Sequence, residues 1–189
     1  MASGMSSVDA LSHYGVIFGM VLPLIALPMA CIAALTLVMS PRISEAVARR
    51  DRGLVRLYIS RSLRATTFIM VPILTLLALF GRPIVNALFH NSIDALMMAL
   101  LCVTFLFSAY QAVTGSVLNA VGKQKRAAAN VMAAGVVQLV ITWYAVAQPS
   151  LRLLGVVIAM LVGGIMALGL NALDVRAWLR EKPTATRTP

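Results

Sequence analysis

The chain has 189 residues, of which 60% are hydrophobic and only 12% charged, with a mean hydropathy of +0.91. An ordinary soluble domain is about 45–50% apolar and about 25% charged, so a soluble globular fold is excluded and an all-α integral membrane protein is expected. The net charge of +10 would suggest nucleic acid in a soluble protein. In a membrane protein the places where the charges fall carry more information than their sum.

Taken in chain order, residues 1–13 form an outer segment before the first apolar run. They carry no Lys or Arg, since the first is Arg42, so nothing there looks like a secretory signal. The first span is expected over about 14–39, with Pro23 and Pro28 kinking it. Ser40-Pro41 reads as a cap and first residue of a new short helix that opens a basic linker over 40–62. A second span follows over about 63–80, kinked at Pro72 and closed by Gly81 as a C-cap. Residues 83–90 are expected to make a short interfacial helix. The third span covers about 94–121 and ends at Gly122. The fourth covers about 127–147, the fifth about 153–173, and a polar, Pro- and Thr-rich tail over 174–189 is expected to be disordered. The spans make a bundle of about five transmembrane helices.

The stretch "SPRISEAVARRDRGLVRLYISRSLR" holds seven arginines between two apolar runs: Arg42, Arg49, Arg50, Arg52, Arg56, Arg61 and Arg64. The turn after the third span adds Lys123, Lys125 and Arg126, and the tail adds four more. Fourteen of the sixteen Lys and Arg therefore fall in alternate loops. This is a positive-inside pattern with the N-terminus outside and the C-terminus in the cytoplasm, as expected of a multi-pass membrane protein. The basic linker reads first as a topology signal beside anionic membrane lipid, with a specific headgroup site as the alternative. Nucleic acid is not expected, because no aromatic residue apart from Tyr58 is interleaved with the arginines and the run is tethered to bilayer on both sides.

No catalytic constellation is present. His90 and Asp94 are one residue too close for a His-x-x-x-x-Asp acyltransferase pair. HExxH, GxSxG, P-loop and CxxC motifs are absent, and none of the six acidic residues is central in a span. The chain is read as no enzyme, with no cofactor and no metal. Cys31 and Cys102 lie in apolar runs and read as small buried hydrophobes. Amides and hydroxyls supply the polarity of the spans. Gln111, Thr114, Asn119, Asn130 and Gln138 are the candidates for lining a polar cavity, Gln111 and Asn119 sharing a face at eight residues apart. The competing reading is hydrogen bonding between helices. Gly155, Gly163, Gly164 and Gly169 in the fifth span read as close packing, with Gly135 facing them.

Four blocks carry a resemblance: "HYGVIFGMVLPLIALPMACIAALTLVMSPRISEAVARRD", "SRSLRATTFIMVPILTLLALFGRPIVNALFH", "AYQAVTGSVLNAVGKQKRAAANVMAAGVVQLVITWYAV" and "LLGVVIAMLVGGIMALGLNAL". Their order and spacing resemble the stage V sporulation protein B-like polysaccharide exporters. These are related to lipid II flippases within the multidrug/oligosaccharidyl-lipid/polysaccharide flippase superfamily. The resemblance implies two six-helix lobes around a central cavity, of which this chain matches most of the second. It implies transport of a lipid-linked oligosaccharide or peptidoglycan precursor by alternating access, in sporulation or cell-wall synthesis, with a first lobe supplied elsewhere, for instance as a separate chain. The cationic cavity residues of lipid II flippases sit mainly in the lobe that is missing here, and none is carried over. A cation-coupled multidrug exporter, and a non-transporting scaffold or truncated remnant, stay open as alternatives.

Overall fold

A computed structural model describes residues 19, 22–89, 94–148 and 152–181. The expected outer segment 1–13, the start of the first span, His90 and residues 182–189 of the tail lie outside the described residues. Five helices follow one another: α1 Leu22–Ala48, α2 Arg52–Phe89, α3 Ala95–Ala120, α4 Gln124–Ala147 and α5 Arg152–Arg180. Each is long and apolar enough to cross a membrane. No strand occurs among the described residues. In a bilayer, helices satisfy their backbone groups internally, and the hydroxyls do likewise here. Ser62, Thr66, Thr67, Thr104, Ser108 and Thr114 each donate to the carbonyl four residues earlier.

Three expected boundaries move. α1 runs through Pro41 without a new start and so takes in the first part of the basic linker. α2 likewise runs from Arg52 through Pro72, Gly81 and Pro83 to Phe89, so the linker end, the second span and the interfacial helix are one element. Proline interrupts one hydrogen bond, which a membrane helix tolerates when its neighbours hold it. Gly81 is no cap: it is buried, and a Cβ there would overlap the Met98 side chain of α3, so close approach explains the glycine. α5 continues to Arg180, seven residues past the expected end of its span, because partners on α4 and α2 hold its last turns.

α3 is the hub. It packs against α1, α2 and α5 and only lightly against α4, which leans on α5 instead. One apolar cluster joins Ile32, Met70, Leu74, Met98, Leu101 and Val113 around the middle of α3. A second, of Ile43, Val55, Ile59, Val117, Leu118 and Val175, lies beneath the basic turns. Gly163 of α5 lets Gln138 of α4 approach, since a Cβ would sit 2.8 Å from Gln138 Oε1. Gly135 and Gly169 face nothing within 4 Å, so the expected facing of Gly135 onto α5 is not found. Cys102 is buried as expected, whereas Cys31 is exposed.

Candidate functional site

Two turns and the end of α5 meet at one end of the bundle. The turns share a hydrogen-bond plan. Asp51 N–H donates to Ala46 C=O and Arg50 N–H to Val47 C=O; Lys123 N–H donates to Leu118 C=O and Gly122 N–H to Asn119 C=O. Both are Schellman ends with a left-handed residue, Gly122 at φ 80° and Arg50 at φ 57°. Asp51 then accepts from Leu54 N–H at 2.9 Å and so starts α2.

The four carboxylates at this end are all engaged. Glu45 pairs with Arg49 at 2.6 Å, Asp51 caps α2, Lys123 reaches Glu181 at 2.7 Å, and Arg126 reaches Asp174 at 2.9 Å. Glu181 lies beyond α5, and the Lys123 ammonium bonded to it holds its carboxyl below the usual range, against a smaller upward push from desolvation. Arg52 lies over the Trp178 ring at 5.4 Å and donates to Leu179 C=O, which ties α2 to the end of α5. The expected basic group therefore divides. Arg49, Arg52, Lys123 and Arg126 have partners within the fold. Arg42, Arg56, Arg61, Arg64 and Lys125 have no carboxylate partner among the described residues.

A groove of about 950 Å³ lies between α1 and α4, floored by α3. Thr36 and Ser40 line it from α1, Gln111, Gly115, Ser116 and Asn119 from α3, and Gln124 from α4, among apolar neighbours. Gln111, Gly115 and Asn119 follow at intervals of four, which keeps them on one side of α3. Ser40 Oγ and Ser116 Oγ lie 3.2 Å apart and Ser44 Oγ donates to Ala120 C=O, bonds that hold α1 against the floor. Among the described residues no ionisable side chain lines the groove. Its chemistry is hydrogen bonding to neutral groups.

The five sequence candidates are not all brought together. Gln111 and Asn119 line the groove. Thr114 is buried on another side of α3, where its hydroxyl donates to the carbonyls of Tyr110 and Gln111. Gln138 packs on Gly163. Asn130 donates to Asn171 Oδ1 at 3.0 Å and to Asp174 Oδ2 at 2.8 Å, an α4–α5 connection continued by Arg126. Asn171 is fully buried, and its Nδ2 has no partner among the described residues. Thr36, Ser40, Gly115 and Gln124 were not among the candidates, because only the meeting of three helices gives them a common surface. Among the described residues no group of His, Cys, Asp and Glu is arranged to hold a metal.

Comparison with known proteins adds relatives. A family model described as lipid II flippase MurJ matches residues 6–95. The chain is 26% identical over 195 residues to sporulation protein YkvU of Bacillus subtilis (strain 168), a match covering 100% of this chain and 43% of the relative. It is 22% identical over 173 residues to stage V sporulation protein B of the same organism, covering 92% and 33%. The chain thus spans less than half the length of the curated relatives it matches. No solved structure gives a significant match.

Proposed function

We propose that this chain, which is related to the MurJ-type lipid II flippases and to the stage V sporulation protein B-like group, forms the larger part of the second lobe of a transporter. That transporter moves a lipid-linked oligosaccharide or peptidoglycan precursor across the cytoplasmic membrane by alternating access. The observation that carries the reading is the groove. Gln111 and Asn119 line the open side of the bundle, Gln111 within the apolar length of α3 and Asn119 about 12 Å further along it, beside the basic turn. A polar group facing lipid loses its hydrogen bonds, so such a surface is stable only against water, cargo or more protein. A water-filled cavity closed by a first lobe meets that need, and alternating access requires a second repeat on that side.

The proposed orientation puts the turns at 49–51 and 121–123 and the end of α5 in the cytoplasm. Arginine and lysine concentrate there, as the positive-inside rule asks. Along α4, Trp143 and Tyr144 stand exposed about 26 Å from Arg126, near the thickness of a bilayer core, where an aromatic belt belongs.

In membranes holding the protein at its native length, Gln111→Leu and Asn119→Leu are expected to slow translocation of a lipid-linked precursor by an order of magnitude or more while the protein accumulates normally. Unchanged transport in both variants would remove the groove from the mechanism. A multidrug exporter is less well supported, because coupling to a cation calls for an intramembrane carboxylate. Among the described residues Asp174 lies within the last candidate span, and it is already tied to Arg126 and Asn130.

A further inference from the structure

The unpartnered arginines of α2 do not scatter. Arg56, Ser60, Arg64 and Thr67 succeed one another at four, four and three residues, which places them on one face of the helix. The same face continues with Val71, Leu74 and Ala78 at four, three and four. These three line a second groove, of about 250 Å³, closed from α3 by Cys102, Val103 and Leu106. Between the arginines and this apolar groove, Thr67 Oγ1 and Tyr110 Oη are hydrogen-bonded at 2.7 Å. Arg61 flanks the basic part, and Phe68 beside it is 83% exposed. In order along one helix, then, come cations, a polar pair and an apolar trough.

Like charges one and two turns apart on a helix repel each other. The carboxylates that could relieve them are spent on Arg49, on the start of α2, on Arg126 and on Lys123. The compensating anion must come from outside the described fold. Its position is set by the trough: from Arg64 to Ala78 is about 21 Å along the helix, close to the depth of one leaflet with its headgroups.

We propose that the α2–α3 face binds one anionic glycerophospholipid of the cytoplasmic leaflet. Its phosphate sits at Arg56 and Arg64, its glycerol and ester region lies beside the Thr67–Tyr110 pair, and an acyl chain fills the trough. This site is distinct from the cargo groove. On α3, Leu106 and Gly115 are nine residues apart, two and a half turns, so trough and groove lie on opposite sides of the helix. The lipid is therefore a bound component of the lobe rather than what the lobe carries, and the inference stands whether or not the transport reading does.

The test is native mass spectrometry of the purified full chain released from detergent, with phosphatidylglycerol or phosphatidylcholine of identical acyl chains added. The wild type is expected to retain one phosphatidylglycerol under conditions that strip phosphatidylcholine. The double variant Arg56→Gln/Arg64→Gln should lose at least tenfold in occupancy. Arg42→Gln/Arg176→Gln, which removes the same charge elsewhere at the basic end, should keep the lipid. Ala78→Phe leaves every charge in place and fills the trough, and it should lower occupancy as well, which guards against a folding defect peculiar to the arginine variant. Equal retention of both lipids, or equal loss in the two arginine pairs, would overturn the site in favour of bulk electrostatics. Displacement of phosphatidylglycerol by a polyprenyl diphosphate would overturn it in favour of a cargo site.

Discussion

The two sides of α3 are built from one continuous helix and carry opposite chemistry. Toward α1 and α4 stand Gln111, Gly115, Ser116 and Asn119, polar or small, with no packed layer over them. On its other sides stand Met98, Leu101, Cys102 and Val113, closed over by α1, α2 and α5. The contrast teaches where stability ends and function begins. In a bilayer, apolar burial from water does not distinguish protein from lipid, so the packed sides gain from close contact of shapes. The open side gives up that contact; Ser116 is bonded to Ser40, but the Gln111 and Asn119 amides keep hydrogen-bonding capacity for which no partner occurs among the described residues.

Variants that sharpen this comparison should divide by side. The largest stability loss is expected on the packed side: Met98→Ala, which empties a fully buried position against Gly81, should cost about 2–5 kcal/mol. Unfolding in detergent would measure it, and transport per folded molecule should change little. Gly81→Ala probes the same contact from α2 and should cost about 1–3 kcal/mol, because the methyl group must displace Met98. Asn130→Ala breaks the α4–α5 connection to Asn171 and Asp174 and should cost about 1–2 kcal/mol, with the partner amide left short of a donor. Gln111→Leu should leave stability unchanged within about 0.5 kcal/mol, as a residue outside the packed core does.

The two basic turns offer a finer pair. They close with the same hydrogen bonds but hold glycine in one left-handed position and arginine in the other. Gly122→Ala is expected to destabilise by about 1 kcal/mol, through backbone strain alone since nothing lies within 4 Å, and Arg50→Gly should relieve strain of similar size. The smallest effect concerns pH. Because Lys123 depresses the Glu181 carboxyl, the bond's contribution is present above the ordinary carboxylate value of about 4.3. It is lost as pH falls through the lower folded value. Hydrogen exchange at the last turn of α5 should rise in that acid range, and Glu181→Gln should abolish the dependence.

The number of spans was legible because each needs about 20 apolar residues, and hydropathy alone marks them. The boundaries were less so. Pro41 and Gly81 look like punctuation, yet a proline's lost bond is tolerated inside a membrane helix, and a glycine's missing side chain serves equally for a cap or a contact. Only Met98, seventeen residues on, distinguishes the two uses of Gly81. Within the site, Gln111 and Asn119 were recoverable from helical spacing. Asn130 carries the same kind of side chain and was put with them, but its partners lie 41 and 44 residues away, and no local pattern reveals that it is spoken for. The arginine run likewise reads as one charge cluster. The fold uses Arg49 and Arg52 internally and leaves Arg56 and Arg64 aligned outward.

On the transport reading, the α1–α3–α4 groove faces water inside the membrane. The most direct test of this is the labelling of single cysteines by a membrane-impermeant maleimide, in a background with Cys31 and Cys102 replaced and with the protein at native length in cell membranes. Gln111→Cys should react readily when the reagent reaches the cytoplasmic face, and Leu76→Cys, an exposed apolar position within the candidate span of α2, should not. If both stay unreactive from either face of the membrane, the groove is sealed by protein or lipid and the transport reading fails.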